Sequence, residues 1–287
     1  MSLKTKRLLI DISLKVLAGL VIFLIFLPIL VMLPSMFKAR NEIFSSPGNP
    51  WTLFPKTPTI DNFTRLMYLQ YLTIGVDFFK SLGMTMLVAA LAVVLSLAIN
   101  MVAAYAFARL KFPFKKIIWM CVLFTMFIPG ITILITSIRV VYELGMMNTI
   151  WVLVVPGLVS AYNLFFFRQF FLGFPVELDE AAKIDGASTF QIFWHVYLPM
   201  SKTPMIIIGA SIFMGYYNSY IWPSLTIDQE HKDLFQIMSV ITSLYNDSSI
   251  GYGATLAAAF IAMIPPLIIF IIVQRHIRDG IQLTGMK

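Results

Sequence analysis

The chain has 287 residues, 59% of them hydrophobic and only 12% charged, with a mean hydropathy of +0.85. Soluble domains carry about a quarter charged residues, so this composition excludes a soluble globular protein and fits a polytopic membrane protein. The net charge of +7 does not indicate nucleic acid as a partner, because the basic residues sit beside apolar runs, where membrane topology puts them.

Six charge-free runs reach the roughly 20 residues needed to cross a bilayer: 16–37, 81–108, 117–138, 144–167, 203–227 and 248–274. They predict an all-α integral membrane protein with six transmembrane helices spanning 16–274. The first run follows Lys4, Lys6, Arg7 and Lys15, which is how a signal peptide begins. It is too long for one and no A-x-A site follows, so it reads as a retained first helix behind a short N-terminus, 1–15. Segment 38–80 carries Pro47, Pro50, Pro55 and Pro58, which predict irregular structure.

The second run places Ala92, Ser96, Asn100, Ala104 and Ala108 at intervals of four. That spacing lines small and polar groups along one helix face, for a close-packed seam or a moving one. The lone cysteine, Cys121, rules out an intrachain disulfide and reads as a small core residue. Asn100 and Asn163 lie inside apolar runs, where unpaired amides are costly. The fifth run ends in Tyr216-Tyr217-Asn218-Ser219-Tyr220-Ile221-Trp222-Pro223. Such a set suits sugars, whose apolar faces stack on rings while their hydroxyls take hydrogen bonds; an interfacial aromatic belt is the plainer reading. Asn100, Asn163, Tyr217, Asn218 and Tyr220 are therefore candidates for a translocation path. In the sixth run Ala254, Ala258 and Ala262 repeat the small-residue spacing.

With the N-terminus in the cytoplasm, inside segments hold 14 of the 21 Lys and Arg residues, which sets the orientation. Both termini, including the tail 275–287, are then cytoplasmic. So is the 168–202 insert, while 38–80 and the acidic 228–247 lie outside. Enzyme chemistry finds no support. His195, His231 and His276 lack an HExxH context, and neither a G-x-S-x-G elbow nor a Walker A pattern occurs. If ATP drives this protein, another polypeptide must bind it. No carboxylate or lysine sits mid-span, which counts against an ion-driven secondary sugar transporter, the alternative reading.

The insert is too long for a mere connection. Pro175 is placed to start a helix whose early Glu177, Asp179 and Glu180 suit the helix dipole. Ala181 and Ala182 are small enough for close approach, and Asp185 precedes Gly186, which can end the helix in the left-handed conformation. Ser188 with Gln191 forms a capping-box pattern for a second, aromatic helix through Phe190, Phe193, Trp194 and Tyr197, which Pro199 is expected to stop.

The spacing Glu180-Ala181-Ala182-x3-Gly186-x9-Val196-x-Leu198-Pro199 resembles the coupling loop of permease subunits of bacterial ATP-binding-cassette importers. Val196 stands where isoleucine is commonest. Residues 103–109, 144–149, 167–171 and 217–223 are similar to carbohydrate-class permeases, nearest the maltose-G-like subunit, and 198–203 and 264–266 to the glycerol-3-phosphate branch. The resemblance implies a type I importer permease fold in a bacterial cytoplasmic membrane, non-catalytic in itself. It also implies a second homologous permease, an ATPase dimer that binds ATP and Mg, and an extracytoplasmic solute-binding protein. Glu180, Ala181, Ala182, Asp185, Gly186, Leu198 and Pro199 would meet the ATPase, and the solute would be a carbohydrate or glycerol phosphate.

Overall fold

The computed structural model describes residues 3–39, 42, 53–69, 75–247 and 250–284; Pro47 and Pro50 lie outside them. Among the described residues the regular structure is entirely helical. The chain divides into two compact units, residues 1–74 with 241–261, and residues 75–240 with 262–287.

In the first unit, α1 (Leu3–Ser35) contains Pro28 and Pro34, and none of residues 10–34 is buried. Residues 55–60 are irregular, as their prolines predict. After them α2 (Asp61–Met67) anchors the unit. Asn62 donates to the carbonyls of Met36 and Lys38, each at 2.8 Å, and Arg65 donates to the Ile250 carbonyl at 3.0 Å. Gly253 allows this, since a Cβ there would lie 2.5 Å from Asn62 Nδ2.

The second unit runs through α3 (Phe78–Arg109), α4 (Lys115–Thr125), α5 (Gly130–Glu143), α6 (Ile150–Val154) with a 3-10 turn at Val155–Gly157, and α7 (Ala161–Leu172). The insert forms α8 (Glu177–Ile184), α9 (Thr189–Ile192), a π-turn at Phe193–Tyr197 and α10 (Leu198–Met200). Next come α11 (Lys202–Tyr217) and α12 (Ile221–Thr226). Two helices then pass from one unit to the other, α13 (Ile237–Asn246) and α14 (Tyr252–Thr284). Helix α3 is the hub, packed against α7 and α11. Its small-residue face is what makes this possible: Ala92, Ser96, Asn100 and Ala104 are at most 1% exposed. Ala108, at the end of the stripe, is only half-buried.

Among the described residues three helices are individually long and apolar enough to cross a membrane, Ile10–Ser35, Phe78–Arg109 and Tyr252–His276. The other expected spans are broken. Lys115–Thr125 and Gly130–Glu143 meet at 105° and Ile150–Gly157 and Ala161–Leu172 at 47°; the 203–227 run breaks between Tyr217 and Ile221, and at its start Thr189–Met200 of the insert meets Lys202–Tyr217 at 79°. Six spans result if each bent pair is one. Proline explains the first two breaks, since it cannot donate a backbone hydrogen bond and disfavours helix in the residue before it. Pro129 caps α5 in an extended conformation, and Pro156 sits in the 3-10 turn.

Two further expectations need correction. Pro199 does not stop the second insert helix. The backbone widens into the π-turn just before it, which accommodates the missing N–H and the ring, and the helix ends at Ser201 instead. Cys121 is exposed rather than in a core, because α4 carries no buried residue. The 228–247 segment, for which no structure was expected either way, holds a 3-10 turn at Lys232–Leu234 and the amphipathic α13.

Candidate functional site

The insert is built by local capping. Helix α8 starts at Glu177, two residues after Pro175, with Glu177, Asp179 and Glu180 in its first turn. It ends in a Schellman turn: Ala187 N–H donates to the Ala182 carbonyl at 2.9 Å and Gly186 N–H to that of Lys183 at 3.0 Å. Gly186 has φ +81°, the left-handed conformation this turn requires. The capping box of Ser188 and Gln191 is complete, at 2.7 and 3.3 Å. Glu180, Ala181, Asp185, Gly186 and Pro199 are exposed, whereas Ala182 and Leu198 are half-buried. Ile184 (86%), Phe190 (68%) and Trp194 (53%) are also exposed, and the Phe190 and Trp194 rings stack at 6.1 Å.

The opposite face of the insert is locked down by residues whose roles sequence reasoning missed. Asp179 is 7% exposed and accepts a 2.9 Å hydrogen bond from the Tyr197 hydroxyl. Arg109, at the end of α3, lies with its Nε 3.4 Å from Asp179 Oδ2. That is an ion pair without hydrogen-bond geometry, since Nε has no hydrogen-bond partner. The same guanidinium donates from its NH2 group to the carbonyls of Phe171 at 2.9 Å and Phe174 at 2.6 Å, and stands 5.4 Å from the Tyr197 ring centre. Tyr105 packs on Tyr197 at 4.8 Å and on Phe193 at 5.3 Å. One arginine thus ties together the end of α3, the end of α7 and both insert helices. Arg109 counts in the sequence only as a topological charge, and Asp179 as a dipole carboxylate; no local spacing relates them.

A second arrangement surrounds the break between α6 and α7. Pro156 has no N–H to offer the Val152 carbonyl, and the Trp222 indole N–H takes it at 2.8 Å. The Tyr216 hydroxyl donates to the Val154 carbonyl at 2.9 Å. The Leu158 carbonyl accepts from Ser96 Oγ and from Asn100 Nδ2, both at 2.7 Å, and Ser160 N–H donates to Asn100 Oδ1 at 3.0 Å. Buried backbone polar groups must be paired, most of all within a membrane, and side chains from α3, α11 and α12 do it here. Asn100 is 0% exposed and fully engaged in this task.

Beside the break lies a cavity of about 510 Å³ whose lining includes Ser137, Ser160, Asn163, Ser211, Tyr216 and Trp222. A neighbouring recess of about 480 Å³ shares Trp222 and is lined by Asn218 and Tyr220. Asn163 thus lines the first and Asn218 and Tyr220 the second, with Trp222 in both. Tyr217 faces elsewhere: it is 1% exposed and its hydroxyl donates to the Ala262 carbonyl at 2.6 Å.

In the 228–247 segment, Asp228 accepts from the Glu230 N–H at 3.1 Å and is held by two side chains. Asn148, at φ 58°, donates to its carboxylate at 2.6 Å and accepts from its backbone N–H at 2.8 Å, and His231 Nδ1 lies 2.7 Å from Asp228 Oδ1. The hydrogen bond from His231 holds the Asp228 carboxyl below its ordinary range, and the same contact raises the His231 pKa.

Residues 99–282 match the family described as the inner membrane component of binding-protein-dependent transport systems. A lactose transport system permease protein, LacG of Rhizobium radiobacter, is 29% identical over 65% of this chain and 67% of its own. An arabinooligosaccharides transport system permease protein, AraQ of Halalkalibacterium halodurans, is 26% identical over 92% of each. An sn-glycerol-3-phosphate transport system permease protein, UgpE of Pectobacterium atrosepticum, is 29% identical over 84% of this chain and 85% of its own. In fold, the chain is similar to a solved bacterial ABC transporter involved in the import of the acidic polysaccharide alginate. The TM-score is 0.77 at 22% identity, covering 96% of this chain and 98% of that one.

Proposed function

Because this chain belongs to the family of inner membrane components of binding-protein-dependent transport systems, we propose that it forms half of the translocation pathway of an ATP-driven importer. A second permease of the same family completes the pathway. A separate ATPase dimer binds ATP and Mg, and an external binding protein delivers a carbohydrate or glycerol phosphate, the solute classes named for the relatives. The insert faces the cytoplasm together with both termini, and the 228–247 segment faces the binding protein. The ion-driven alternative draws no support from the family or the relatives.

The observation that carries this reading is the two-sided insert. Its outer face presents Glu180, Ala181, Asp185 and Gly186 with exposed apolar side chains. Its inner face is bound to α3 and α7 through Arg109. A body gripped on one side and fixed on the other passes motion to the helices. Closure of the ATPase around ATP would favour one arrangement of the spans, provided its contacts with the insert differ between the two states. The chain's own part is mechanical, and the hydrolytic chemistry belongs to the ATPase.

The test is ATP-dependent uptake in proteoliposomes with the partner permease, ATPase and binding protein present, compared with this chain alone. Gly186→Val puts a β-branched residue at φ +81°, at a cost of about 1–2 kcal/mol. It should reduce ATPase co-purification and uptake while membrane insertion persists. Uptake by the chain alone without ATP, or full coupling in the Val variant, would contradict the reading.

A further inference from the structure

We propose that the cavity beside the α6–α7 break is a subsite for an uncharged, polyhydroxylated ring, so that the solute carried is a neutral glycan and not a glycerol phosphate or a uronate. This rests on the importer reading above and narrows it. The relatives named for transport systems span both chemistries, neutral sugars and a phosphate ester, so sequence similarity does not choose between them.

The cavity's side chains do choose. Asn163 opens α7, where its backbone N–H is already taken by Ser160 Oγ at 3.3 Å. The residue is 7% exposed and lines the cavity, yet its carboxamide has no hydrogen-bond partner among the described residues. An amide so deeply placed has two donors and an acceptor to offer a ligand, and leaving them unmatched is unfavourable. Tyr216 and Trp222 have spent their polar tips on the carbonyls of Val154 and Val152. What they give the cavity is ring carbon, the surface on which the apolar face of a sugar packs. Gly157 makes room for this wall, since a Cβ there would lie 2.5 Å from the Tyr216 hydroxyl. The remaining polar groups include the hydroxyls of Ser137, Ser160 and Ser211, neutral donors and acceptors matched to sugar hydroxyls.

None of the lining residues is charged. A phosphate or carboxylate brought here would lose its hydration without an Arg or Lys to replace it, which is far costlier than burying a hydroxyl that finds a partner. The volume, about 510 Å³, lies in the range of small-molecule sites. A few placed polar groups on an apolar wall suit a solute that must bind and then leave.

The experiment begins with the cognate binding protein, challenged with lactose, arabinotriose, sn-glycerol 3-phosphate and a diuronate alongside a wider metabolite panel. Whatever it retains is used as the probe for ATP-dependent uptake by the assembled importer. A neutral sugar is expected. Asn163→Leu should cut its uptake about tenfold, the scale of one lost hydrogen bond, with the ATPase still co-purifying. Asn163→Ser should recover part of that loss, which a purely structural defect would not. ATP-driven uptake of an anion, or of any solute class other than a neutral glycan, overturns the subsite and leaves the importer reading standing. So does unchanged uptake in Asn163→Leu. Failure of the importer to take up its binding protein's own ligand with ATP overturns both.

Discussion

Two of the places where the second unit abandons regular α-helix next to a proline are finished in opposite ways. At the α6–α7 break, beside Pro156, every bond that repairs the backbone is neutral, from Ser96, Asn100, Tyr216 and Trp222, and a cavity is left alongside. The π-turn before Pro199 instead packs, through the Tyr197 side chain, against a buried ion pair, Arg109 with Asp179. The space around it is filled by Tyr105, Phe171, Phe174 and Tyr197 with ring centres 4.8–6.5 Å apart. One helix, α3, serves both, with Ser96 and Asn100 at the first and Tyr105 and Arg109 at the second. Neutral bonds satisfy a backbone without polarising the site, so a solute can lie beside them. A buried charge pair is unforgiving of displacement, because either partner alone is strongly destabilising. The first arrangement suits a passage and the second suits a lever.

The sharpest way to break this comparison is Asp179→Leu. It leaves the Arg109 charge without its counter-ion and the Tyr197 hydroxyl without an acceptor, so it should cost about 3–5 kcal/mol. Thermal unfolding in detergent and loss of ATPase co-purification would register it, and Asp179→Asn, which keeps an acceptor for Tyr197, should be milder. Asn100→Leu at the other break should cost less, about 1–3 kcal/mol. It strands Ser160 N–H but leaves the Leu158 carbonyl its bond from Ser96. Equal unfolding shifts for Asp179→Leu and Asn100→Leu would end the distinction between charged and neutral repair.

The smallest effect should come from the solvent-facing counterpart of the buried pair, Asp228 with His231. Both side chains are more than 40% exposed, so screening leaves them little influence. The raised His231 pKa means its contribution is complete below about pH 6.5 and is lost as pH rises through the folded value. The depressed Asp228 pKa means its contribution is present above about pH 3.9 and is lost as pH falls through the folded value. The contact is therefore firmest between those limits. An NMR titration should place His231 above its ordinary pKa, return it towards that value in Asp228→Asn, and show little change in global stability. A large pH-dependent loss of fold in that range would mean that exposed charge matters here as much as buried charge.

Much of the insert was legible because its determinants are local. The Schellman turn at Gly186, four residues after Ala182, and the capping box of Ser188, three before Gln191, are bonds the chain makes with itself over a short stretch, and each forms as the spacing predicts. The spans were legible as apolar runs but not as bent ones. Hydropathy averages along a helix and does not register where a proline-freed carbonyl finds a new donor. Pro156 is plain in the sequence, yet the indole that takes up the freed Val152 carbonyl lies 70 residues beyond Val152. Asn100 illustrates the same limit, since a mid-span amide offers itself equally to a solute or to a backbone, and only packing shows it bonded to the break.

The sequence alone determined that this chain is a helical membrane protein and that its long insert is a capped helix pair with an unusual glycine turn, because hydrophobicity and capping act over one helix or one turn. It also carried the resemblance that the family match bears out. Only tertiary structure decided which side of the insert is held and which is offered, and which amide faces a cavity. Those outcomes depend on hydrogen bonds and ion pairs between residues about 60 or more positions apart. No local pattern encodes such pairings, and burial is what gives them their strength.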